Sequence, residues 1–181
     1  MSAPIVEESE ARGWLDLTVM AVRDFAEQAL FTDNFKIGEI KKDARIEGND
    51  TLGSYISVLG DGYGFEAGLL ANKENTRKLC AMFLGMVGEE EELSDDDVLD
   101  AFGEISNIVC GMVKVRMSDA DPSMHIGLPL FVQGTLICMS QQLIMRCELY
   151  IDDVLVNVML VWPGRQDIQL LNMHGDIAHN K

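Results

Sequence analysis

Basic residues are scarce. Fourteen Lys and Arg stand against 30 Asp and Glu, so the 181-residue chain carries a formal net charge of −16. Nucleic acid and anionic membrane surfaces both call for clustered Lys and Arg, so neither is expected as a partner. Long apolar runs are also missing. No stretch of about 18 apolar residues occurs, and no membrane-spanning helix is expected. Residues 1–12 are acidic and lack the basic-then-apolar order of a signal segment. Paired cysteines are absent too: Cys80, Cys110, Cys138 and Cys147 form no C-x-x-C pair, and each sits in an apolar stretch. That spacing argues against a zinc site and for free, buried thiols in a reducing cytoplasm. Neither a Walker loop nor a G-x-G-x-x-G after a strand is present, which removes support for nucleotide binding. His125, His174 and His179 are scattered and assemble no nucleophilic set. The 11 methionines are spread along the chain and read as core filler. There is no internal repeat.

What remains is an ordinary globular composition, 48% hydrophobic, in one domain's length of chain. A chain of this size buries roughly 70% of its unfolded surface and needs no staples. The organisation expected is an acidic tail over 1–12, a single domain over 13–172 and a loose tail over 173–181. Apolar positions from Trp14 to Leu30 fit a helix over 14–31. Residues 32–50 are polar and mixed, with a short strand near 44–46. Two strands, 52–59 and 65–70, flank Gly60-Asp61-Gly62-Tyr63-Gly64, the signal of a hairpin. Asn72 can cap a helix over 73–85, and 89–92 is an acidic loop. Strand-like runs follow at 125–128, 130–139, 143–151 and 154–162, with a tight turn at Asp152-Asp153 and a last strand near 168–171. The fold class expected is α+β: a mixed or antiparallel sheet with two long helices on one face.

Ser94-Asp95-Asp96-Asp97 opens the most informative segment. It reads as a capping box with Asp in the place of Glu, at the end of a helix that favours negative charge. The helix should run to about Ser118, ahead of Asp121-Pro122. At 100° per residue, Val98, Leu99, Phe102, Ile105, Ile108, Val109, Met112 and Val113 fall on one side. Asp96, Asp97, Asp100, Gly103, Glu104, Asn107, Gly111, Lys114 and Ser118 fall on the other. Glu104 and Asn107 are three apart and therefore neighbours. Each glycine inside the helix costs about 1 kcal/mol relative to Ala, and both flank that pair. A bare strip beside a protruding acid and amide suits close approach by another protein. Periodicity by itself favours the plainer reading, a solvated pair and a glycine that admits a packing neighbour.

The run Asp100-Ala101-Phe102-Gly103-Glu104-Ile105-Ser106-Asn107-Ile108-Val109-Cys110-Gly111 resembles the E-x-x-N-x-x-x-G signature of the CheX/CheC/FliY family of chemotaxis phosphatases. The setting agrees. Upstream, Val58-Leu59-Gly60-Asp61-Gly62-Tyr63-Gly64 and Gly68-Leu69-Leu70 resemble the family's strand, glycine turn and strand, and a helix then ends at Met82-Phe83-Leu84-Gly85. Downstream, Ile126-Gly127-Leu128-Pro129 and Gly134 are similar to the strand entry that follows the family's active helix. The resemblance spans about residues 14–162. A second E-x-x-N is lacking: the first helix offers only Asp24-Phe25-Ala26-Glu27, so the chain resembles a single-site CheX-type member. Met112 stands where a small polar residue is usual.

The resemblance implies a phosphatase acting on the aspartyl phosphate of a phosphorylated CheY-type receiver domain. It implies that Asn107 orients the attacking water and that Glu104 docks the receiver's lysine. Asp100, Gly103, Gly111 and Lys114, on the same helix side, are the positions expected to meet the partner. No cofactor of the chain's own is implied, because the receiver supplies Mg²⁺. A homodimer is compatible with the resemblance. The alternatives are a non-catalytic receiver-binding module and a scaffolding domain of the flagellar-switch type.

Overall fold

The computed structural model describes residues 7–42, 45–46, 51–61, 63–137 and 142–162. Helix α1 spans Glu8–Ala29, strand β1 Phe35–Lys41, β2 Arg45–Ile46, β3 Thr51–Gly60 and β4 Tyr63–Asn72. Helix α2 covers Lys73–Leu84, and a single 3-10 turn, Glu90–Glu92, leads to α3, Asp95–Met117. Strands β5 His125–Ile126, β6 Leu130–Gln133, β7 Leu136–Ile137, β8 Leu143–Ile151 and β9 Val154–Trp162 follow. Seven strands form one antiparallel sheet in the order β1-β8-β9-β4-β3-β5, with β6 continuing along β3 beside β5; β2 and β7 pair separately. This is the α+β class, with α1 over β8 and β9 and α3 over β3 and β5.

Strand alternation divides the apolar residues between two sides of the sheet, because successive side chains point to opposite faces. Ile56, Val58, Phe65, Ala67, Leu69, Cys147, Leu149, Val156, Val158 and Leu160 join the core under the helices. Tyr55, Leu70, Ile144, Met159 and Val161, each out of phase with that set, form a second cluster on the opposite face. From α1, Trp14 stacks near Tyr63 and Phe65 with centroids 5.0 and 5.1 Å away, and Phe65 meets Trp162 at 5.1 Å. Two buried hydroxyls are satisfied within their own helices: Thr18 donates to Trp14 O at 2.9 Å and Ser106 to Phe102 O at 3.0 Å.

Several boundaries differ from the sequence reading. The acidic tail does not reach Arg12, because α1 begins at Glu8 and Ala11 is fully buried. The polar stretch after α1 contains β1, an edge strand whose charged, exposed residues hide its pairing with β8. The run over 130–139 is split at Gly134, whose φ of 111° is a conformation side chains rarely allow. The helix expected over 73–85 is present as α2, Lys73–Leu84. It is capped by Asn72, which accepts from Asn75 N at 2.7 Å, and closed by Gly85 at φ 72°. The strand expected near 168–171, the tail 173–181, and Cys138, His174 and His179 lie outside the described residues.

The outer edge beside α3 carries a bulge. Val58 pairs with Ile126 and Tyr55 with Leu130, so four steps of the edge chain oppose three of β3. Gly127 N still donates to Ser57 O at 2.8 Å. Leu128 is squeezed outward and is 87% exposed. An extra residue of this kind, followed by a proline without N–H, ends the pairing capacity of an edge.

Candidate functional site

Helix α3 is held from its first residue. Ser94 Oγ accepts from Asp97 N at 3.1 Å, and Asp97 Oδ2 accepts from Ser94 N at 3.0 Å, a complete capping box with aspartate as the third residue. Ser94's hydroxyl and backbone hold the Asp97 carboxyl below its ordinary range. Arg77 of α2 anchors the entry: its Nη1 donates to Leu93 O and, at 3.2 Å, to Glu90 O, while Nη2 pairs with Asp95 at 2.5 Å. At the far end Arg116 pairs with Asp24 of α1. Acids at the start and Lys114 and Arg116 in the last turn both suit the helix dipole.

The core side of α3 follows the wheel. Val98, Phe102, Ile105, Val109 and Val113 are buried, joined by Ala101, Ser106 and Cys110. Ile108 and Met112, at the borders, are only partly covered. Burial pushes the Cys110 thiol up to about 12, so this cysteine, three residues beyond Asn107, is a protonated core group and not a nucleophile. Cys80 behaves likewise, at about 12.

On the outer side, Glu104 and Asp100 are exposed, and Asn107, Gly111 and Lys114 are half-exposed. None of these side chains has a hydrogen bond or ion pair with another described residue. A Cβ built on Gly111 would meet nothing within 4 Å, so the strip beside the Glu104–Asn107 pair is open. Gly103 requires a correction. The wheel placed it among the bare positions, but it is buried, and a Cβ there would lie 2.8 Å from Phe131 Cζ. The glycine exists to seat an aromatic ring from β6, so Gly103 itself presents no surface.

Phe131 is the residue that sequence reasoning passed over. It comes from a short strand in which nothing marks it apart from Leu130 and Val132, and only the pairing of β6 with β3 brings it to α3. A glycine in the middle of a long helix was the available signal. Among the described residues no group of His, Cys, Asp and Glu is arranged to hold a metal ion, and no helix is long and apolar enough to cross a membrane.

An exposed carboxylate and an amide one turn apart on a rigid helix, beside a bare strip, can be pushed into a concave partner. The carboxylate can meet a cation there, and the amide can both donate to and accept from a water. Comparison with known proteins gives the chain a family. Residues 53–149 match the family described as chemotaxis phosphatase CheX. Among solved structures, the chain is similar to a chemotaxis protein CheX from Desulfovibrio desulfuricans, with 14% identity and a TM-score of 0.67 over 83% of this chain and 99% of that one. It is also similar to the CheX–CheY–BeF3–Mg²⁺ complex from Borrelia burgdorferi, with 15% identity and a TM-score of 0.57 over 84% and 96%. FliY from Thermotoga maritima gives 13% identity and a TM-score of 0.60 over 88% and 92%. At these identities the structural likeness establishes the fold. No curated protein matches the chain by sequence.

Proposed function

The chain belongs to the CheX family of chemotaxis phosphatases, and from that premise we propose that it accelerates hydrolysis of the aspartyl phosphate on a CheY-type receiver domain. The observation that carries this reading is the outer side of α3: Glu104 and Asn107 have no hydrogen-bond or ion-pair partner among the described residues and stand next to an open Gly111. A free carboxylate and amide held by a capped, anchored helix are groups kept available for another molecule.

In this mechanism the helix enters the receiver's acidic pocket. Glu104 pairs with the receiver's active-site lysine and sets the register; the pair becomes desolvated on docking, which raises its specificity. The Asn107 carboxamide accepts from the attacking water and aligns its oxygen with the phosphorus. The water oxygen bonds to phosphorus as the P–O bond to the aspartyl oxygen breaks, leaving the receiver's carboxylate and inorganic phosphate that carries the water's protons. Phosphoryl transfer demands positioning and charge neutralisation more than covalent assistance, so an uncharged amide is sufficient. The cation that neutralises the phosphoryl oxygens belongs to the receiver. The similar protein from Borrelia burgdorferi, held with CheY, BeF3 and Mg²⁺, supports the choice of partner. Such a reaction belongs in the cytoplasm, where free thiols such as Cys80, Cys110 and Cys147 persist.

The test is phosphate release from receivers of the same organism, phosphorylated with a small-molecule donor, with and without the protein. Faster release from at least one receiver supports the reading. A stable complex that leaves the phosphate lifetime unchanged would make the chain a binding module instead.

A further inference from the structure

Phe131 is fixed in an unusual place. Its ring rests on the Cα of Gly103, where any side chain would collide with Cζ at 2.8 Å. Asn107 lies one turn further along the same ridge of α3, since residues four apart stack on a helix. Helix side chains lean toward the N-terminus, over the turn that precedes them. The Asn107 side chain therefore leans toward the space above Gly103, and that space is where the ring stands. Glu104 follows Gly103 directly but projects about 100° away from it, on the far side of Asn107 from the strand. By this placement Phe131 falls on the Asn107 side of the helix rather than the Glu104 side. Phe131 remains 37% exposed although its ring tip meets Gly103. The carboxamide has no hydrogen bond among the described residues to hold its rotamer, so packing is what remains to orient it.

We infer that Phe131 is a positioning residue for Asn107: seated on Gly103, its ring walls one side of the carboxamide, limits its rotamers and keeps bulk water from that side when a receiver docks. The pairing explains two features together. A buried glycine inside a 23-residue helix costs stability that Ala would restore, and an aromatic residue sits in a short edge strand while staying 37% exposed. The inference rests on the proposed role of Asn107, and it also makes a claim about the resting protein that needs no partner.

The experiment therefore has two arms. In the first, side-chain amide resonances of Asn107 are followed by NMR in the isolated protein. A neighbouring ring shifts those protons, so Phe131→Ala and Phe131→Leu should both move them, and so should Gly103→Ala by displacing the ring. Unmoved resonances in all three variants would overturn the inference, whatever the protein's activity. In the second arm, receiver dephosphorylation is measured across receiver concentrations, with affinity taken separately from binding of the receiver loaded with beryllofluoride and Mg²⁺. Phe131→Ala should lower the maximal rate about tenfold with affinity within about twofold, and Phe131→Leu should recover part of the loss. Gly103→Ala should slow the wild type comparably yet add little in the Phe131→Ala background, where there is no ring to displace. An intact maximal rate with weakened binding would make Phe131 a docking contact and overturn the inference. Additive losses in the double variant would do the same. A wild-type protein with no effect on any receiver would sink the phosphatase reading, and the first arm would still stand on its own.

Discussion

The phenol of Tyr63 donates to Asp121 Oδ2 at 2.7 Å, tying the β3–β4 hairpin to the loop that leaves α3. Asp121 also accepts from the Ser123 backbone N at 2.8 Å and from its hydroxyl at 2.5 Å, while the Ser123 hydroxyl takes Asp61 N at 3.0 Å. The Tyr63 ring covers Gly60 so closely that a Cβ there would lie 2.1 Å from its Cζ. The loop thus fixes the direction in which α3 ends.

Removing the phenol should loosen that tie. Tyr63→Phe is expected to lower Tm by about 2–4 °C near neutral pH, the shift that one lost hydrogen bond gives in a chain of this size. The difference has a defined pH profile. Ser123 and then Tyr63 hold the Asp121 carboxyl low, so its contribution is present above the ordinary carboxylate value and fades as pH falls through the folded one. Burial and then Asp121 raise the Tyr63 phenol, so its contribution is present below about pH 10 and fades as pH rises toward the folded value. Thermal melts from pH 2 to pH 11 should show the wild-type advantage as a plateau that shrinks at both ends. An advantage that grew above pH 10 would contradict the assignment.

Asn107→Ala should remove acceleration of receiver dephosphorylation by about 10²–10³, by analogy with the loss of one preorganised donor. Affinity for the receiver should stay close to wild type, because the amide buries little area. Single-turnover phosphate release at saturating protein measures this. A variant as fast as wild type would end the proposed role.

Glu104→Ala should act on docking instead. The carboxylate is exposed in the free protein, so its removal leaves the fold undisturbed and deletes one charge-assisted contact. Affinity for a beryllofluoride-loaded receiver in Mg²⁺ should weaken about 10-fold or more, the loss expected from 1.5–3 kcal/mol. An unchanged affinity with a slower chemical step would exchange the roles given to the two residues.

Gly111 and Gly103 should respond differently to the same change. Gly111 has open space where a Cβ would go, so Gly111→Ala should stabilise the isolated protein by about 1 kcal/mol. Gly111→Leu should fold and melt normally but fail to bind the receiver, through steric overlap. Gly103→Ala gains the same helix propensity but must swing the end of the Phe131 ring aside, so its Tm should rise less than that of Gly111→Ala. Parallel melts compare the two directly, and a Gly111→Ala variant that melts below wild type would mean that this helix side is already covered.

Periodicity made much of this legible. Strands β8 and β9 fell on the expected residues because both are strongly apolar runs separated by Asp152-Asp153, where Asp152 takes a φ of 53°. The ends of α2 and α3 were readable from Asn72, Gly85 and Ser94, whose side chains or freedom do local work. The E-x-x-N pair was found because helical spacing and family likeness agree on the same face. What stayed hidden depends on contacts between distant residues. β1 has the exposed, charged look of a loop and becomes a strand only through Phe35 opposite Ile151. Gly103 looked like a gap because the wheel knows one helix and not the strand beside it. The split at Gly134 follows from a backbone angle that an alternating apolar pattern does not announce.

The partner of β1 has a consequence for how the protein is made. Phe35 pairs with Ile151 and Lys41 with Arg146, so the strand that follows the first helix meets its neighbour only after more than a hundred further residues have left the ribosome. Until then β1 exists as an unmatched ribbon, and the Lys and Glu residues along it keep it soluble during the wait. The β3–β4 hairpin and the two helices after it can begin to associate from contiguous chain. The closing event is the arrival of the β8–β9 hairpin between β1 and β4, a non-local step that should set the pace of folding.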